Sequence, residues 1–413
     1  MGYLSTQPPA QKILGPTGLI VLIALLSAFV PLSTDLYLPA LPEMSVLFQV
    51  PVHDINLTLT MFFVFYALGT LVWGPLSDRY GRKPILLVGL SVYVLTSVFC
   101  ANAGNVHTLV FSRALQAAGG SAAGAVSTAI VKDIYKGRKR ESVLAIVQSM
   151  VLISPAVAPV IGAMVLGITS WRGIFWILTA IGVVALLGSI LFTETIPFRN
   201  TGTVLISFTR LGKVLQNRSF TPLLVLFSLG SFSSMAFIGS STFIYQNGFH
   251  LSDHVYSYYF SLNALGMIGG PMLYLRIYRS FHPETIIRAC FLTIAASGVL
   301  VSLLGSLQPW IFALCILPAS LAGSCLRPPA ASMMLEQQKG DTGSVSSLMG
   351  CSGLLMGSLG MQVISLNWGN TVLALGIMTF LTPTVSLVMW PLATRHARRL
   401  ARNEADYLEP GKP

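Results

Sequence analysis

Twelve runs of about twenty apolar residues, parted by short polar turns, fill this 413-residue chain. A run of that length matches a ~30 Å hydrocarbon layer. Lipid offers backbone N–H and C=O groups no partner, so each run is expected to close its hydrogen bonds internally as an α-helix. The spans read as about 17–38, 55–77, 84–103, 106–131, 142–168, 172–193, 221–245, 254–278, 285–306, 309–334, 342–366 and 370–394. The fold expected is an all-α integral membrane protein of twelve transmembrane helices.

Composition agrees. Only 9% of residues are charged and 54% are hydrophobic, where a soluble chain carries roughly 25% charged residues. Mean hydropathy is +0.73. The net charge of +11 does not call for nucleic acid, because 22 of the 25 Lys and Arg sit in the two tails or in the even-to-odd turns and the span ends beside them. By the positive-inside rule both termini are expected in the cytoplasm. The first run carries no small-residue cleavage site after it, so it is expected to be retained. The five cysteines all fall in or at the ends of spans, which argues against disulfides and a metal site.

The organisation expected is a cytoplasmic N-terminal tail (1–16), a six-helix bundle (17–194), a cytoplasmic linker (195–220), a second bundle (221–394) and a cytoplasmic C-terminal tail (395–413). A weak repeat supports two halves: Gly270-Pro271 closes the eighth span as Gly74-Pro75 closes the second. Within the linker, 204–215 has the spacing of an amphipathic helix lying on the inner leaflet.

Of fourteen acids only Asp35 lies within a span, in P-L-S-T-D-L-Y-L-P-A-L-P, and the six histidines lie in loops, tails or the first two residues of a span. A charge there is costly and marks a functional site. Pro39 has no N–H for the carbonyl of Asp35, so polar backbone opens beside the acid. In the fourth span Arg113, Gln116, Gly120 and Gly124 share a stripe. Burial and a nearby guanidinium act on Asp35 in opposite senses, which lets one group both load and release a proton. The competing reading makes Asp35 and Arg113 a permanent pair holding two helices together. The turn with Gly74, Asp78, Arg79, Gly81, Arg82 and Lys83 is denser in charge than a connector needs. Pro155, Pro159 and Gly162 stack two ladder breaks and a close-packing position on one face of the fifth span, which is expected to bend. Asn56, Thr60 and Phe63 share one stripe and Tyr256, Tyr259 and Asn263 another; with Gln116, Arg327 and Met356 they are the candidates for a substrate cavity suited to amphipathic small molecules. Arg327, beside Pro328 and Pro329, fits a functional or a structural role equally well. No nucleotide loop, metal constellation or nucleophile with a base is present in the sequence, so neither an enzyme nor a metal or organic cofactor is expected.

These motifs resemble the major facilitator superfamily, and within it the drug/proton antiporters of the bicyclomycin-resistance (Bcr/CflA) subfamily. Gly74 to Lys83 matches G-x-L-x-D-R-x-G-R-K, and Arg113 to Gly119 matches R-x-x-Q-G-x-G with Ala117 at the first glycine. Ala158 to Ala163 matches G-P-x-x-G-G with alanine at both outer positions, and Asp35 to Pro42 matches D-x-Y-L-P-A-L-P. The resemblance implies two pseudo-symmetric six-helix bundles opening alternately to either side of a bacterial inner membrane, with the proton as coupling ion and a monomer as the working unit. It implies that Asp78 docks at the start of the eleventh span around Thr342, Gly343 and Ser344, and that Arg82 pairs with Asp133. Export of a native metabolite such as an amino acid or siderophore, and uncoupled facilitation, remain alternatives.

Overall fold

The computed structural model describes residues 11, 13–196, 204–338 and 342–408. Among them the chain is helical with no strand, as lipid solvation requires of an open chain. The helices are α1 (Gly15–Ser27), α2 (Phe29–Asp35), α3 (Leu41–Leu47), α4 (Val52–Tyr80), α5 (Arg82–Ala101), α6 (Val106–Ile134), α7 (Gly137–Ile168), α8 (Trp171–Leu191), α9 (Val204–Leu215), α10 (Thr221–Phe243), α11 (Asp253–Ile277), α12 (Pro283–Leu304), α13 (Pro309–Glu336), α14 (Thr342–Ile364) and α15 (Thr371–Leu408). Ten helices among the described residues are long and apolar enough to cross a membrane, and α1 with α2–α3 makes an eleventh when counted as one bent span. α11 lies where the eighth span is expected but is not one of these ten, its first turns being polar at Asp253, His254, Tyr256, Ser257, Tyr258, Tyr259 and Ser261.

Two boundaries differ from expectation. The first span is not one helix over 17–38: it breaks after Ser27, bends by 44°, passes through a 3-10 turn at Leu38–Ala40 and continues as α3 to Leu47. Pro31, Pro39 and Pro42 each remove a ladder donor, and the chain answers with tighter turns. At the other end α15 continues past 394 to Leu408, so the expected tail is helical there.

Local chemistry sets the other ends. Asn105 caps α6 by accepting the Thr108 N–H at 2.8 Å. Gly81, at φ +106°, separates α4 from α5; a side chain there is strained, and the turn needs glycine. Proline opens α12 and α13 at the first helical position, where its missing N–H costs nothing.

Packing divides the chain into two compact units. The first comprises Met1–Val204 with Gly239–Leu265 and Ser365–Asn367, and the second Leu205–Ile238, Gly266–Ile364 and Trp368–Pro413. The first is built round Leu19, Leu26, Phe29, Tyr93, Val126, Ile130 and Phe192. The second is built round Phe220, Leu224, Phe291, Leu326 and Trp390. Large apolar side chains are also turned outward, among them Leu95, Phe99, Phe111, Val184 and Leu187. A water-soluble surface rarely carries so many; a lipid-facing one must.

Candidate functional site: a buried acid at the helix break

Asp35 is the last residue of α2 and is 6% exposed. The hydroxyl of Thr34 donates to its Oδ1 at 3.1 Å and to the Val30 carbonyl at 3.0 Å. Among the described residues no cation stands within ion-pair distance of it. Tyr256, fully buried on α11, lies close enough to feel its charge. The break behind Asp35 exposes backbone: the Ala40 N–H turns to Tyr37 instead of Leu36, leaving the Leu36 carbonyl outside the helical ladder. α7 approaches this carbonyl so closely that a Cβ on Gly162 would lie 2.2 Å from it. The close-packing position expected at Gly162 is therefore filled by the helix break itself. α7 runs as one continuous helix through Pro155 and Pro159.

Arg113 is fully buried on α6 but does not meet Asp35. Its Nη1 donates to Gln116 Oε1 at 2.6 Å, while Nε and Nη2 have no partner among the described residues. The guanidinium instead stands against aromatic faces, 4.2 Å from the Phe62 ring centre, 5.1 Å from Tyr37 and 5.8 Å from Phe175, which supplies part of the lost solvation. Gln116 donates on to Ser97 Oγ at 2.7 Å, and Ser97 to the Tyr93 carbonyl. The Tyr93 hydroxyl meets Ser33 Oγ at 2.7 Å, two residues from Asp35. A run of neutral polar groups, not an ion pair, lies between the two charges. The permanent-pair reading of Asp35 and Arg113 is therefore not what this structure contains.

The turn after α4 is tied together by Arg82, whose side chain is only 8% exposed. Its Nη1 reaches Asp78 Oδ1 and Ser77 Oγ, both at 2.6 Å, and its Nε reaches Asp133 Oδ2 at 2.9 Å. The Arg82–Asp133 contact implied by resemblance is present. Asp78 is half exposed and held by Arg82, and Arg79 lies over the Tyr80 ring. Lys83 Nζ donates to the Ile190 carbonyl at 2.6 Å. Gly74 has nothing within 4 Å of where a Cβ would stand. Glu194, which nothing in the motifs singled out, accepts four backbone N–H groups, those of Arg82, Lys83, Thr195 and Ile196, at 2.8 to 3.1 Å. Its only sequence signal is its place as a lone acid ending an apolar run.

The expected cavity residues are mostly closed over. Asn56, Thr60, Phe63, Gln116, Tyr256 and Asn263 are all buried, and Tyr259 and Met356 half-buried. Asn56 is the clearest correction: its Nδ2 donates to the Gly239 carbonyl at 3.0 Å and Ser365 Oγ at 2.6 Å, so it ties elements together and does not line open space. Tyr259 stacks on Tyr245 at 5.1 Å. Arg327 differs, its side chain being exposed. An open cleft of about 590 Å³ exists in the second unit, but Tyr274, His282, Glu284, Met333 and Glu336 line it, none of them a cavity candidate. Among the described residues no group of three metal-ligating side chains comes together.

The model of the Major Facilitator Superfamily matches residues 23–361. The chain belongs to that superfamily. Among relatives of this facilitator, an uncharacterized MFS-type transporter YdgK of Bacillus subtilis is 29% identical over 90% of this chain and 95% of its own. A chloramphenicol resistance protein of Pseudomonas aeruginosa is 29% identical over 85% of each, and a bicyclomycin resistance protein homolog of Haemophilus influenzae 26% over 82% and 88%. A crystal structure of the peptide transporter POT in complex with sulfate shares the fold, with TM-score 0.74 over 94% of this chain and 97% of that one at 15% identity. The facilitator is a multi-pass membrane transporter, and its relatives are transporters and not enzymes.

Proposed function

We propose that this facilitator exports small amphipathic molecules in exchange for protons, as a drug/proton antiporter of the bicyclomycin-resistance subfamily. It would work as a monomer with twelve spans in two six-helix bundles, both termini cytoplasmic, in a bacterial inner membrane. It needs no cofactor beyond the coupling proton. The observation that carries this is Asp35: a carboxyl group within an apolar run, nearly sealed, with a neutral hydroxyl beside it and, among the described residues, no cation within ion-pair distance. A structural acid would be paired. A lone one is best suited to exchange between charged and neutral forms as the chain opens to either side. The names of the chloramphenicol and bicyclomycin relatives support the cargo class.

In this cycle Asp35 takes a proton from the outer side, which favours the inward-facing form, and gives it to the cytosol as substrate binds. At ~2.3 kcal/mol per charge per 100 mV, one proton supplies useful pumping energy. Arg113 holds the polar run from Gln116 to Ser33 in register. The Arg82 cluster ties the cytoplasmic turn, and the Pro155–Pro159–Gly162 face positions the acid.

The test is Asp35→Asn. In cells lacking their other pumps, the parent is expected to raise tolerance to chloramphenicol or bicyclomycin, and the variant to be made and folded but inactive. In proteoliposomes, chloramphenicol added to the parent should move protons and to the variant should not. Uphill transport with unchanged proton dependence in Asp35→Asn would refute the reading, and transport by the parent with no proton movement would make it a facilitator without coupling.

A further inference from the structure

α13 turns two unlike sides to its surroundings. On one, Trp310 and Leu314 stand a turn apart, both large and exposed, as a face against lipid requires. The other carries Ser320, Gly323, Arg327 and Ala331, spaced i, i+3, i+7 and i+11 and so placed one above another on the helix. Arg327 is exposed there and the other three are half-buried. Above and below, the same side closes again at Ile316 and Met334, which are buried. The opening is local, whereas a lipid-facing stripe would run the length of the span. Nothing lies within 4 Å of where a Cβ on Gly323 would stand, one turn before the arginine, so the protein leaves room beside the guanidinium. Arg327 lies nine residues before Glu336, the last of α13, and a charge held within a span faces protein or water, not lipid. Among the described residues it forms neither an ion pair nor a hydrogen bond.

We propose that Arg327 is an anion-binding subsite for cargo, so that the facilitator exports lipophilic acids as well as neutral amphipathic molecules. This rests on the export reading above and adds a substrate class to it. A guanidinium presents a planar fork of donors that meets a carboxylate with two parallel hydrogen bonds. Gly323 and Ala331 leave space for an apolar body on either side of the fork, which bulkier neighbours would fill. The guest also brings the counter-charge that the chain omits, and an uncompensated cation within a span is costly. A neutral cargo gains neither benefit and is held by apolar contact alone. Arg82 shows the opposite arrangement: nearly sealed, it has its carboxylates supplied by the chain at Asp78 and Asp133. Arg327 keeps its donors for a guest.

Binding tests this without transport or protons. The probes are 2-naphthoate and its uncharged amide, 2-naphthamide, which share a ring system and differ in charge. They are titrated calorimetrically into purified full-length protein in detergent. The parent is expected to hold the acid roughly tenfold more tightly than the amide, the worth of one charge-assisted hydrogen bond. Arg327→Gln should erase the preference by weakening the acid alone. Arg327→Lys should keep part of it, since an ammonium offers the charge without the fork. If Arg327→Gln fails to insert, Gly323→Leu, which grows into the open space, is read in its place and should weaken the acid by a similar factor. Equal binding of the two probes by the parent, no binding of the acid, or undiminished binding of the acid in the variant that inserts overturns the subsite. An arginine that only snorkels to the lipid headgroups gives the first of these results. A preference that vanishes with Arg327→Gln, in a protein whose Asp35→Asn form still pumps uphill, would sink the exchange reading and leave the subsite standing.

Discussion

Gly162→Ala should be destabilising at a helix-interior position where the same change ordinarily stabilises. Alanine gains ~0.8–1.0 kcal/mol over glycine in a helix interior. At Gly162, however, the added methyl would stand 2.2 Å from the Leu36 carbonyl oxygen and 3.0 Å from its carbon. A carbon to oxygen contact settles at ~3.3–3.6 Å, so α7 must retreat by about 1 Å from the break. The obstacle is backbone and cannot rotate away, which puts the overpacking cost at the upper end of ~1–3 kcal/mol. Gly230→Ala in α10 is the control, since nothing lies within 4 Å of its Cβ position. The propensity gain is common to both variants, so their difference is the overpacking term, ~2–3 kcal/mol. At ~2–4 °C per kcal/mol for a mid-sized domain, Gly162→Ala should melt about 4 to 12 °C below Gly230→Ala in detergent. Its transport should fall too, because Leu36 adjoins Asp35. Equal melting points with transport intact would refute the claim that α7 rests on the break.

Two further outcomes separate structure from function. Arg113→Met removes a buried guanidinium two of whose nitrogens have no partner among the described residues, so stability should be unchanged or higher by ~1 kcal/mol, while chloramphenicol tolerance is lost; a collapse in melting temperature would show the aromatic contacts outweigh the stranded donors. Arg82→Lys should cost ~1.5–3 kcal/mol, about one charged hydrogen bond, because a single ammonium cannot reach Asp78, Ser77 and Asp133 together. A double-mutant cycle with Asp133→Asn should show coupling, and additive losses would disprove it.

Much of the architecture is legible in the residues because it is local. Apolar run length sets where helices lie, whereas the break of the first span after Ser27, its bend and its continuation to Leu47 needed the chain's packing. Gly81 reads as a turn from its place between cations, and its positive φ confirms why. The site was less legible. That Asp35 is buried follows from its position in an apolar run. Its surroundings do not: the stripe carrying Arg113 shows which face the arginine shares with Gln116, yet not which helix meets that face, and the structure sets it against Phe62, Tyr37 and Phe175 instead of the acid.

Glu194 makes the same point. As a lone acid after an apolar run it looks like an ordinary helix end, and only folding brings it to the four N–H groups it caps. Asn56 looked like a cavity residue because polar groups on a membrane helix point inward, but inward proved to mean the Gly239 carbonyl and Ser365. What the amino-acid order determined by itself was which segments enter lipid, which carry charge there and where their ladders fail, since each depends on a few neighbouring residues. What the tertiary structure alone decided was who stands beside each break and each buried charge. Thr242 and Gln246, which donate to the Leu38 and Pro39 carbonyls, come from some two hundred residues away, and a short-range pattern holds no information about contacts made at that separation.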